Sequence, residues 1–247
     1  LSGRVRGHLD KLFSQFMDFL GSEYYQQYDF TYPSALKAAN KISFGTNVLP
    51  YYDIENTDFL LSFGADYLGT WISPVHHSLA YGHLRQGRED RRGKTVQIEP
   101  RMSLTGAAAD EWIAARPGSE GLLALGMAHV LVNEGHYDGS DRDEWLKVLQ
   151  KYSPSLVSAE TDVSEEKIVR LAREFGASTA SLAIAGGATT AGTNAVASVV
   201  AINALNHLAG NLSEPGGIIF NSEQTYSAEV GLRQAGFQGM LGLVEAM

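Results

Sequence analysis

Apolar residues along the chain recur with two periods. Between Val5 and Leu20, residues Leu9, Leu12, Phe13, Phe16, Met17 and Leu20 fall at three-and-four spacing, which predicts an amphipathic helix stopped by Gly21. A second helix is predicted from about Pro33 to Lys41. "DFLLSFGAD" is then a short continuous apolar run closed by Gly64, the pattern of a parallel strand buried on both faces. Val75 to Gln86 reads as helix, Gly93 breaks it, and "KTVQIEP" supplies a β-branched strand ended by Pro100. Strand, loop, helix and strand in this order predict a crossover between parallel neighbours. Ligands of such sheets bind beyond the carboxyl ends of the strands, so the loops at 64–74 and 99–106 are expected on one rim.

Downstream, "ADEWIAARPGSEGLLALGMAHVLVNEG" predicts a short strand, a Pro-Gly turn and a helix carrying Ser119 and Glu120 in its first turn. "DRDEWLKVLQKYS" is a further helix. "TDVSEEKIVRLAREFGAS" is a stronger one, with Ser164 as cap, acids in the first turn and Gly176 at the end. "ASLAIAGGATTAG" then repeats the strand-to-glycine-loop pattern at Gly186 and Gly187, before a long helix rich in small residues. The fold class is α/β, with parallel-sheet Rossmann-like lobes. The expected division is an α/β lobe at 1–157, a strand-loop-helix element of an adjoining lobe at 158–220 and an irregular segment at 221–247.

Composition narrows the function classes. The chain has 247 residues, 44% of them hydrophobic, enough for a sizeable core. Nineteen Lys and Arg against 28 Asp and Glu, a net charge of −9, argue against a nucleic-acid partner. With no cysteine, the chain forms no disulfide, supplies no thiolate to zinc and holds no cysteine-ligated iron–sulfur cluster of its own. No apolar run approaches the roughly 20 residues that span a bilayer, so no transmembrane segment is expected. The chain opens at Leu1 without Met and without a signal-like segment, and is read as a piece of something longer.

The glycine rim offers binding chemistry. The Gly64 loop lacks the GxGxxG spacing, and a turn fixed by sterics alone competes with a nucleotide loop there. Glu99, after the next strand, can accept from ribose hydroxyls or a purine amino group. Arg101, Arg116 and Ser119 add donors for phosphate, and Glu120 an acceptor for a base edge; a solvated salt-bridge cluster is the competing reading. His76 and His77 are adjacent, lack the spacing of two ligands on one helix face, and read as structural. Tyr67 and Trp71 either stack on a planar ligand or plug the loop onto the body. The basic cluster Arg85, Arg88, Arg91, Arg92 and Lys94, interleaved with Glu89 and Asp90, reads as a solvated helix end, with docking of an acidic partner as the alternative. Neither a GxSxG elbow nor a GxxxxGK[ST] loop occurs, which removes serine-hydrolase and P-loop readings.

In sequence, "DFLLSFGADYLGTW", "GKTVQIEPRMSLTGAAADEWIAARPGSEGLLALGMAHVLVNEG", "SEEKIVRLAREF" and "AINALNHLAGNLSEPGG" resemble the central region of the molybdopterin oxidoreductases, the dimethyl sulfoxide reductase superfamily, over residues 34–220. The resemblance implies α/β lobes that grip the molybdopterin guanine dinucleotide tails of a molybdenum or tungsten centre. Carried over by position, it makes Gly64, Ala65 and Asp66 a diphosphate loop and adds Glu99, Arg101, Gly118, Ser119 and Glu120 as cofactor-binding residues. Asp66 stands where the family has Asn, and Glu120 where it has Asp. No Cys occupies the metal-ligand segment, where Asp29 and Ser34 are the oxygen candidates, so no metal ligand and no catalytic residue are assigned. "SFGADYLGTWISPV" and "YPSALKAANKISFG" look most like the large subunits of quinone-linked membrane complexes, such as alternative complex III and the menaquinone reductase complex. That likeness implies a part of an electron-transfer complex at the periplasmic face of a bacterial membrane, with iron–sulfur, haem and membrane quinone-binding subunits as partners. In this reading the molybdopterin guanine dinucleotide is either bound, as the resemblance implies, or lost. The alternatives are a catalytic molybdenum or tungsten bis-pterin oxidoreductase and a nicotinamide dinucleotide-binding protein.

Overall fold

The computed structural model describes residues 2–28 other than Arg4 and Arg6, 33–89 and 91–220. Residues 35–220 form one compact unit; another includes residues 1–34. In the latter, helix α1 (His8–Phe19) carries one buried carboxylate, Asp10. The carboxylate accepts from the Tyr25 hydroxyl at 3.0 Å and from Gln27 Nε2 at 2.6 Å.

The main unit begins with helix α2 (Ser34–Phe44) and the two-residue strand β1 (Tyr51–Tyr52). Four parallel strands follow: β2 (Phe59–Phe63), β3 (Lys94–Ile98), β4 (Glu111–Ile113) and β5 (Ser181–Ala185), in the order β4-β3-β2-β5. Every residue of β2 and β5 is buried. That is why these strands appear in the sequence as unbroken apolar runs instead of alternating ones. β2 pairs with β3 from Phe59 opposite Lys94, and with β5 from Phe59 opposite Ser181, so the three carboxyl ends finish level.

Alternate side chains of the sheet face two cores. Phe59, Leu61 and Phe63 join Val96, Ile98, Ala183 and Ala185 in the larger one. It is closed by helices α5 (Glu120–Asn133), α7 (Pro154–Thr161), α8 (Glu165–Ala177) and α9 (Ala195–Leu208), through residues such as Met127, Val157, Phe175 and Ile202. Leu60, Leu182 and Ile184 face the smaller core, where helix α3 (Pro74–Gly82) supplies Ala80 and the following π-helical turn Leu84. Helix α4 (Leu104–Ala108) joins β3 to β4, and helix α6 (Arg142–Leu149) precedes α7. The short strand β6 (Ile218–Ile219) pairs antiparallel with β1.

β5 lies at an edge of the sheet, and side chains satisfy its outer backbone. Asn206 of α9, fully buried, accepts from Ala183 N at 2.8 Å and donates to Ala183 O at 2.9 Å. Asn211 donates to Ser181 O at 2.7 Å. These amides pair an edge that would otherwise bury bare peptide groups.

Candidate site at the carboxyl edge of the sheet

The chain runs from β2 outward to β3 and β4, then returns to place β5 on the other side of β2. Strand order therefore reverses between β2 and β5. The loop after β2 leads to α3 on one face of the sheet, and the loop after β5 leads to α9 on the other. A crevice opens at such a reversal, and glycine lets its walls approach. Gly64 has φ +68, and a Cβ there would meet Gly186 O at 2.7 Å. Gly186 N donates to Phe63 O, and Thr189 Oγ1 donates to the same carbonyl, both at 3.0 Å. The amides of Ala65, Asp66, Gly187 and Ala188 find no partner among the described residues.

The cofactor-binding residues named from the sequence follow the strand ends or open α5. The Asp66 carboxylate is tied back by Thr105, whose hydroxyl donates to it at 2.6 Å. Glu99 is buried, and both its oxygens are engaged: Oε2 accepts from Gln97 Nε2 at 3.0 Å and Oε1 from Ser103 N at 2.6 Å. Arg101 is exposed, without an ion-pair partner among the described residues. Gly118, at φ +81, turns the chain into α5 and accepts from Asn194 Nδ2 at 2.8 Å, linking the amino ends of α5 and α9. The Ser119 hydroxyl donates to Arg116 O at 2.7 Å instead of capping α5. Arg116 itself makes a two-nitrogen contact to Asp162 at 2.8 and 3.1 Å. Structure thus gathers Gly64, Ala65, Asp66 and Glu99 on adjoining strand ends and places Gly118, Ser119 and Glu120 at the head of α5. Ser34 is the exposed first residue of α2, and Asp29 lies outside the described residues.

Glu120 is fully enclosed, and neither of its carboxyl oxygens has a hydrogen-bond partner. Burial raises its pKa; the amides of Gly118 and of Glu120 itself oppose that rise without completing a hydrogen bond. Trp71 was legible in the sequence only as one of two alternatives, and the structure selects the plug. Its indole is 7% exposed, stacks on His77 at 5.1 Å and 27°, and leans on Tyr52 at 5.1 Å. The indole edge abuts Gly186 so closely that a Cβ there would collide with it. Burial first, then neighbouring His76, brings the His77 pKa down to about 4, against an opposing backbone contribution from Trp71. Most of the buried side-chain polar atoms without partners belong to residues at this end of the sheet, namely Trp71 Nε1, His77 Nδ1, Gln97 Oε1, Trp112 Nε1 and both oxygens of Glu120; Arg88 Nε, by the start of β2, is the exception among the described residues. Sequence carried no signal for that gathering, because it depends on which strands are neighbours.

The basic cluster lies elsewhere and is consumed internally. Arg85 pairs with Asp110 and Arg88 and Arg91 with Asp58, while Lys94 meets Glu174 at 2.5 Å. Among the described residues, no group of three or more His, Cys, Asp or Glu is placed to hold a metal ion.

Comparison with known proteins decides the family. The family model for molybdopterin oxidoreductase matches residues 9–247. The chain belongs to the molybdopterin oxidoreductase family. Among its relatives, the menaquinone reductase molybdopterin-binding-like subunit of Nitratidesulfovibrio vulgaris is 31% identical over 221 residues, covering 88% of this chain and 31% of the relative. The thiosulfate reductase molybdopterin-containing subunit of Salmonella typhimurium is 29% identical over 226 residues, covering 88% and 28%. The chain therefore spans about a third of the length of these relatives. The acetylene hydratase from Pelobacter acetylenicus shares the fold, with a TM-score of 0.69 at 19% identity over 90% of this chain and 30% of that one.

Membership in the molybdopterin oxidoreductase family implies a molybdopterin cofactor. The idle amides of the crevice and Arg101 suit an anionic tail. The other side chains, in this conformation, do not. Trp71 sits in the crevice, Glu99 and Ser119 are bound to their own loops, and the Glu120 carboxyl is sealed from any base.

Proposed function

We propose that this chain is part of a molybdopterin-oxidoreductase-like subunit in a quinone-linked membrane electron-transfer complex, and that its α/β body works in assembly and carries no reaction of its own. The observation that supports this reading best is the inward use of the rim: Asp66, Glu99, Ser119 and Arg116 each spend their hydrogen-bonding capacity on the chain itself. Similarity to a subunit of a menaquinone reductase supports the quinone link. The electron carriers of such a complex, iron–sulfur and haem, belong to partner chains, with a quinone-binding subunit in the membrane and the assembly at the periplasmic face. Among the described residues, no helix is long and apolar enough to cross a membrane.

A second reading, that this unit helps to grip a catalytic molybdenum or tungsten bis-pterin cofactor, is favoured by the four idle amides and by exposed Arg101. Elemental analysis for both metals on the purified native assembly, with fluorescence of extracted oxidised pterin, separates the two. Neither metal nor pterin is expected. Near-stoichiometric amounts of both overturn the assembly reading and install the second.

A further inference from the structure

We propose that Tyr137, Asp141 and His207 form a binding site for a divalent first-row transition-metal ion, at the end of α9 away from the crevice. The inference goes beyond the assembly reading and does not rest on it.

The three donors come from three segments. Tyr137 follows α5, Asp141 immediately precedes α6, and His207 stands in the last turn of α9. The Tyr137 hydroxyl donates to Asp141 Oδ1 and lies 3.2 Å from His207 Nε2, which is 3.8 Å from Asp141 Oδ2. A phenol oxygen, an imidazole nitrogen and a carboxylate thus converge at nearly the spacing of atoms that share a metal, since bonds of about 2.0–2.2 Å set neighbouring ligand atoms roughly 3–3.6 Å apart. The set is not one of histidines and carboxylates alone: its third donor is a tyrosine.

The surroundings suit a cation. Asp141 occupies the N-cap of α6, where a carboxylate ordinarily accepts from the first amides of the helix; here its side chain makes no capping bond and turns to the cluster. Trp145 Nε1 donates to Asp141 Oδ2 at 2.9 Å, an outer hydrogen bond of the kind that orients a metal-binding carboxylate. His207 lies at the carboxyl end of α9, whose partial negative charge favours a cation. Tyr137 and Trp145 pack against the larger core, which holds the donors in place. The side chains of Asp141 and His207 are each 42% exposed, so water can complete the coordination. Imidazole selects a transition metal over calcium or magnesium, which prefer oxygen donors. On binding, the ion takes the place of the phenol proton, which leaves to solvent.

Gly139 allows the phenol to be displaced without touching a ligand. A Cβ there would collide with the Tyr137 hydroxyl, the far end of a side chain that can move aside, and Gly139 does not have a positive φ. The test is calorimetric titration of zinc chloride into the full chain, Gly139→Ala and His207→Gln, with melting temperatures recorded with and without the metal. The native chain is expected to bind one zinc and to melt higher with it. Both variants should bind zinc about tenfold more weakly, or less tightly still, and lose that rise. Calcium should produce neither effect. Copper(II) reads the phenol directly: a phenolate-to-copper charge-transfer band is expected in the visible spectrum and should vanish in Tyr137→Phe, which keeps the ring in the core and serves if Gly139→Ala does not fold. Zinc that fails to bind the native chain, that binds the variants equally well or that calcium matches overturns the site, and so does copper bound without that band.

Discussion

Glu120 and His77 are buried on the same rim with opposite consequences for pH. The Glu120 pKa is raised, so the native state holds its proton more tightly than the unfolded chain does. Its contribution is most favourable below the ordinary carboxyl value near 4.5 and is lost as pH rises through the folded value. At neutral pH, an unpaired buried carboxyl costs about 1–3 kcal/mol, more than the roughly 0.3–1 kcal/mol that an acid gains in a helix's first turn. Glu120→Met is therefore expected to raise stability by about 1 kcal/mol at pH 7.5 and by less at pH 4, measured by urea unfolding. His77 runs the other way. Its folded pKa of about 4 lies below the ordinary 6.5, so the unfolded chain binds the extra proton first and stability falls between pH 6.5 and 4. At about 1.4 kcal/mol per pH unit, the full swing is roughly 3 kcal/mol. His77→Phe, which keeps a ring against Trp71, should flatten that slope; an unchanged acid limb would mean that other groups govern it.

At the level of elements, the middle of the β5 edge depends on the Asn206 side chain. Asn206→Leu leaves the Ala183 N–H and C=O buried without partners, at about 1–3 kcal/mol each, against about 1 kcal/mol of added apolar burial. A net loss of about 2–4 kcal/mol is expected in urea unfolding, and a loss below 1 kcal/mol would show that the edge is satisfied otherwise. Nothing in "VVAINALNHL" announces this role, because an Asn in an apolar helix becomes informative only once its neighbour is known. The sequence revealed strands β2 to β5 and helices α1, α2, α3, α5, α6, α8 and α9, through apolar runs or amphipathic periods. Helix α4 and the β1–β6 pair are too short for a period to register, and α7 carries only Pro154 at its start as a signal. Ser164 does stand at the head of α8, but its hydroxyl makes no capping bond, and the helix runs past Gly176 to Ala177. At the rim, the glycines were legible because close approach demands them; the side-chain directions of Glu99 and Glu120 were not, because residue types alone do not say that Glu99 turns back onto Gln97 and Ser103 or that Glu120 is enclosed.

For the molecule as a whole, the two faces of the sheet are unequal. One is covered by α5, α7, α8 and α9 around Leu123, Met127, Leu171 and Phe175; the other is covered mainly by α3 and its aromatic neighbours. Opening free energies vary across a fold with the apolar surface each element buries, up to the global value in the best-packed strands and helices. The α3 side also carries the left-handed strain of Ile72, at φ +50, and the unpaired nitrogens of Trp71 and His77, whereas the opposite face is tied to the edge strand by Asn206. Native-state hydrogen exchange should therefore find two opening units. Amides of β2, α5 and α9 should exchange only with global unfolding, and those of residues 66–82 should exchange through a smaller, local opening with weak urea dependence. Were both sets to share one opening energy and one urea slope, the thin face would be as firmly held as the thick one, and the loop carrying Trp71 could not open on its own.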